Sequence, residues 1–189
     1  MNNKKHASIK MYIMIPVLIL GIVSIISNAM AIMNIRNVNA NASNIADNYM
    51  TGISDLGVIQ QQTQELHNKA LSHIIATNAD TMISIMDGIK TEETELEENL
   101  AKYKEEMSEA EKQTYEELMT NYQGLKDAMA NVAAYSANGN SEAAYACANG
   151  DLAAYGDAMQ KNIDTLIETA NKGAASARSQ LASVYNSAL

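Results

Sequence analysis

The stretch VNANASNIADNYMTGISDLGVIQQQTQELHNKALSHIIAT, residues 38–77, decides the fold. From Val38, steps of four and three land on Ala42, Ile45, Tyr49, Gly52, Leu56, Ile59, Thr63, Leu66, Ala70, His73 and Thr77. This is a heptad seam carried for about six repeats, with Ile53 and Ile74 widening the apolar stripe. Residues 36–78 are therefore expected as one helix of roughly 64 Å at the standard rise.

Working outward, Pro16 is the only proline, so long helices are permitted after it and the breaks must come from other residues. TNADT supplies the first break, with Asp80 as the expected N-cap of a second helix over 80–107. Its apolar positions include Ile83, Met86, Ile89, Leu96, Leu100, Tyr103 and Met107. SEAE, Ser108 to Glu111, fits a capping box and opens a third helix over 109–137 through Tyr115, Leu118, Met119, Tyr122, Leu125, Met129, Val132 and Tyr135. Asn138 and Gly139 suit a helix end that needs positive φ, and Ser141 suits the next N-cap. A fourth helix over 141–188 carries Leu152, Tyr155, Met159, Ile163, Leu166, Ala170, Ala174, Ala177, Leu181 and Val184. Gly150 lies inside it as a soft point where the helix either breaks or runs on at a cost of about 1 kcal/mol. Short connections make consecutive helices antiparallel, so the expected fold is all-α, an up-down-up-down four-helix bundle.

Before the seam comes MYIMIPVLILGIVSIISNAMAIMNI, residues 11–35, without a charge and longer than the roughly 20 residues needed to cross a bilayer. Twelve of these residues are Ile, Leu or Val. Together they are worth roughly −4 to −7 kcal/mol on insertion. Lys4, Lys5 and Lys10 precede the segment and only Arg36 follows closely, which places the N-terminal stub, residues 1–10, in the cytoplasm and residues 36–189 outside. The rival reading is a cleaved signal peptide, since ISNAMA offers Ala29 and Ala31 as small residues. The apolar run continues past that site through Ile32, Met33 and Ile35, and both readings export the remainder.

The 22 acids all lie after Arg36 and face ten cations from Arg36 onward, a balance of −12 that repels phosphate backbones and excludes nucleic acid as a natural partner. Cys147, the single cysteine, excludes an internal disulfide and a cysteine zinc cage, and is read as a small packing residue. TEETELEE, residues 91–98, lacks the glycine and alternating oxygens of a calcium loop and is read as a solvated acidic face. Neither a catalytic grouping nor a cofactor motif rises above chance, so no enzyme, metal or cofactor is expected.

An uncleaved membrane helix, ASNIADNYMTGISDL at 42–56, YKEEMSEAEKQTYEELMTNYQGL at 103–125 and ANGNSEAAYACANGDLAAY at 137–155 stand in a characteristic order. Together they resemble the N-terminal part of a methyl-accepting chemotaxis protein with a four-helix-bundle sensor domain. The resemblance implies a homodimer in the cell membrane, and a ligand-sensing domain that passes binding to the cytoplasm by small helix displacements to control chemotaxis. It also implies a second membrane helix, a HAMP linker and a signalling domain, which residues 1–189 do not contain. The same bundle can feed a histidine kinase or a cyclic-nucleotide enzyme, and a non-signalling exported structural or adhesive protein is the reading from another class.

The family's amino-acid receptors hold the ligand carboxylate with arginines on the first bundle helix, whereas here the arginines are only Arg36 and Arg178, so that specificity does not transfer. QQQTQELHNKALSHII, residues 60–75, occupies the corresponding region. The ligand-binding candidates are His67 and His73, since histidine as a residue type can change charge near neutral pH, Lys69 as a single positive charge, and Tyr135 and Tyr145 at the same end. The partner is a small molecule or a ligand-loaded binding protein, and each candidate has a plain structural alternative as a packed or solvated helix residue.

Overall fold

A computed structural model describes residues 9–44 and 49–188, so the stub through residue 8, the seam position Ile45 and the last residue lie outside the described residues. Among the described residues there is no strand. The helices are α1 (Ile9–Asn44), α2 (Thr51–Ile75), α3 (Ala79–Glu106), α4 (Lys112–Ala137), α5 (Ser141–Cys147) and α6 (Ala153–Ala188), with a 3-10 turn at Glu109–Glu111 and a π-helical turn at Ala148–Leu152. They form two compact units, one of residues 1–44 with 176–189 and one of residues 45–175.

In the first unit, α1 contains an apolar span, Lys10–Ala40, of 31 residues. At about 1.5 Å per residue this is roughly 46 Å, enough for the ~30 Å hydrocarbon core. None of its most apolar window is buried against protein, so its Ile, Leu and Met side chains have no protein neighbour to bury them. Such a helix is not a soluble core element, whose apolar face would be covered. Pro16 lies within it.

The second unit is the bundle. Its seam follows the heptad: Gly52, Leu56, Ile59, Thr63, Leu66, Ala70 and His73 are all buried on α2. Thr77, the last expected position, is exposed because α2 ends at Ile75. Against the seam pack Ile89, Leu96, Leu100 and Tyr103 of α3, Leu118, Leu125, Met129 and Val132 of α4, and Leu152, Met159, Ile163 and Leu166 of the chain leading into and along α6. Each such aliphatic side chain contributes about 1.5–3 kcal/mol by leaving water.

Polar groups inside the bundle are paired across helices. The Tyr115 hydroxyl donates to the Leu100 carbonyl at 3.0 Å, the Asn99 amide to Gln62 at 3.0 Å and the Asn121 amide to Asn162 at 2.8 Å. Because a buried polar group without a partner costs about 1–3 kcal/mol, these pairs fix which faces meet.

The turns correct the sequence reading in detail. Asn78, not Asp80, caps α3: its extended backbone lets the carboxamide oxygen accept from the Thr81 N–H at 2.9 Å. Asp80 then sits in the first turn, where its charge meets the positive helix end. Asn140, not Ser141, caps α5, accepting from the Ala143 N–H at 3.1 Å. Gly139 has φ of 71°, and the Asn140 N–H donates to the Tyr135 carbonyl at 2.9 Å and the Gly139 N–H to Ser136 at 3.0 Å, the paired bonds of a Schellman ending. At the capping box, the Glu111 carboxylate accepts from the Ser108 N–H at 2.7 Å and from its hydroxyl at 2.6 Å.

Three apolar assignments also change. Ile83, expected on the apolar face of α3, is 61% exposed, and Tyr135 and Tyr155 are 43% and 38% exposed. The buried place near the end of α4 goes to Ser136 instead of Tyr135. The chain runs through Gly150 without breaking, by widening into the π-helical turn.

Candidate functional site

Near the turns at Ala76–Asn78 and Asn138–Asn140, α2 and α4 are joined by one buried polar contact. His73 Nδ1 lies 2.9 Å from the Ser136 hydroxyl, and that hydroxyl donates to the His73 carbonyl at 3.0 Å. Serine has a single hydroxyl proton, so once it is given to the carbonyl the ring must be the donor at Nδ1. His73 is 2% exposed and Ser136 3%. Burial holds the His73 imidazole below its usual pKa, favouring the neutral ring. The arrangement fastens two helices together.

Lys69 has a different attachment. Its ammonium lies 2.6 Å from Glu92 Oε2 on α3 and 4.0 Å from Glu65. Glu92 is 8% exposed, so this positive charge already has a shielded carboxylate partner. The acidic run at 91–98 is thereby partly structural: Glu97 accepts from Lys126 at 2.6 Å and from the Tyr122 hydroxyl at 3.1 Å, and the Lys126 bond holds its carboxyl below the usual range. Burial pushes the neighbouring Glu93 carboxyl up. Among the described residues no three metal-ligating side chains converge.

His67 remains at the surface of a groove of about 310 Å³ between α2 and α6. Thr63 and Gln64 share the α2 wall with it, while Gly156, Asp157 and Gln160 form the facing wall. The Thr63 hydroxyl donates to the Ile59 carbonyl at 2.8 Å, and the residues bearing carboxamide, imidazole and carboxylate groups share one concavity, which can hold a small polar molecule through several hydrogen bonds. A second groove, of about 350 Å³, brings Tyr135 and Asn131 of α4 to Cys147, Gly150 and Asp151. Tyr145 is 41% exposed on α5.

The five sequence candidates are therefore distributed over separate surroundings, and among the described residues no hydrogen bond joins any two of them. Gln64, Asp157 and Gln160 escaped the sequence reading because polar residues beside a heptad seam have the same pattern whether they face water or a groove. Gly156, between Tyr155 and Asp157, belongs to the same α6 wall.

The described residues thus combine a bundle of antiparallel helices, a preceding helix long enough to cross a membrane, and two surface grooves. A family described as a four helix bundle sensory module for signal transduction matches residues 6–185, and the chain belongs to that family. No curated protein matches the chain.

Proposed function

We propose that the chain is the ligand-sensing region of a transmembrane chemoreceptor, anchored by α1 in the cell membrane with the N-terminus cytoplasmic and the bundle outside. It acts as a homodimer and controls chemotaxis by small displacements of α6. Membership of the signal-transduction family supports the sensory part of this reading, and the resemblance to methyl-accepting chemotaxis proteins supports the output. The asymmetry of charge around the apolar span, three lysines before it and Arg36 after it, supports the orientation.

The observation that carries direct ligand binding is the convergence of His67, Gln64, Asp157 and Gln160 on the α2–α6 groove. A ligand touching both walls stabilises one relative position of the two helices over another. A two-state helix pair shifts by as much as the difference in its affinity for the two positions. Lys69 and His73 take supporting roles here, setting α2 against α3 and α4 through Glu92 and Ser136.

The test is a thermal-shift screen of the full chain in detergent micelles against amino acids, small amines and small anions. At least one class should raise the melting temperature, and His67→Ala or Asp157→Asn should remove the shift. A screen without a responding compound, or a response untouched by both substitutions, overturns binding at this groove.

A further inference from the structure

Between Ala148 and Leu152 the helical ladder slips, and the Ala153 N–H reaches back five residues to the Ala148 carbonyl. π-helical turns are rare and frequently occur at functional sites. This one borders the 350 Å³ groove toward α4. Asn131, Tyr135 and Asp151 line it, and none of their side chains hydrogen-bonds to another described residue. Asp151 is the one charge on the lining, and no cation accompanies it.

We propose that this groove binds a small organic ammonium, held by the Asp151 carboxylate and the Tyr135 ring, with Asn131 accepting or donating to a second polar group. An anion is repelled by Asp151, whereas an ammonium gains both the carboxylate and the negative face of the tyrosine ring. The acidic balance of the exported residues favours the same sign of ligand. This site is separate from the α2–α6 groove and stands whether or not that groove is occupied.

The position gives binding a consequence. A ligand bridging Tyr135 on α4 to Asp151 favours the π-helical register of the turn. Conversion of that turn to regular α-helix changes the register of α6 by about one residue, roughly 1.5 Å along the axis. Displacements of 1–2 Å at packed helices are an established means of switching.

Cys147 lines the groove and is the only cysteine, so its alkylation reports occupancy without added labels. The experiment measures N-ethylmaleimide labelling of the full chain in micelles with n-butylamine, protonated at neutral pH, or with n-butanol, at matched concentration and ionic strength. Each rate is normalised to the same protein without additive. Butylammonium should slow labelling about threefold or more and butanol should not, and both Asp151→Asn and Tyr135→Leu should abolish the protection. Both positions are exposed, and unchanged melting temperatures check that the variants fold. Equal protection by butanol, no protection by butylammonium, or protection that survives Asp151→Asn overturns the proposal.

Discussion

Ser136 and His73 form a contact whose protonation follows from counting hydrogens, and that count has a pH consequence. The neutral ring donates from Nδ1, so protonation adds a second N–H to a side chain that is 2% exposed. Burial lowers the folded-state pKa beneath the ordinary value of 6.5. A depressed histidine contributes stability that is fully present above the unfolded value and is lost as pH falls through the folded one. The melting temperature should therefore fall from pH 7 toward pH 5, and His73→Gln should flatten part of that slope. Chemical denaturation at neutral pH should show Ser136→Ala to be destabilised by about 1–3 kcal/mol, since it leaves buried partners unmatched. An unchanged pH slope in His73→Gln would show that other groups govern the acid limb. The heptad placed His73 in the core correctly, because burial follows periodicity. It missed Ser136, because Tyr135 and Ser136 both satisfy helical spacing from Val132 and packing beside His73 chose the smaller side chain.

Helix ends are governed by single backbone torsions, and here the sequence was legible by residue type more than by position. Asn78 and Asp80 are equally good caps in composition, and the extended torsions of Asn78, φ −148° and ψ 158°, decide between them. The Ser108–Glu111 signal was stronger because a capping box demands two residues at fixed spacing. Glu111 also accepts from the buried Tyr103 hydroxyl at 3.0 Å, which no local motif contains. Glu111→Ala removes all three bonds and leaves Tyr103 without its acceptor, so it should cost about 2 kcal/mol or more, with Glu111→Gln milder because it keeps one acceptor oxygen. Gly139→Ala at φ 71° should cost about 1 kcal/mol. Urea unfolding of the full chain measures both, and a Glu111→Ala loss no larger than that of Gly139→Ala would mean that the Tyr103 bond adds nothing.

At the scale of the whole molecule, the heptad seam of α2 was legible and the grooves were not. Seven consecutive seam positions of α2 from Gly52 to His73 are buried as the heptad requires. A groove depends on which polar residues two helices bring opposite each other, as Gln64 meets the wall of Asp157, and a single-helix pattern does not encode that pairing. The membrane arrangement is different again, since it rests on charge placed at the ends of a span: Lys10 opens it and Arg36 lies near its far end. The proposed orientation keeps the cationic end in the cytoplasm and predicts that an exposed bundle residue is reachable from outside the cell. Glu142 is exposed in the first turn of α5, and Glu142→Cys in a Cys147→Ser background provides one thiol there. A membrane-impermeant maleimide should label it in intact cells, while alkaline carbonate leaves the protein in the membrane fraction. Labelling only after lysis would reverse the orientation, and release by carbonate would show that α1 does not anchor the chain.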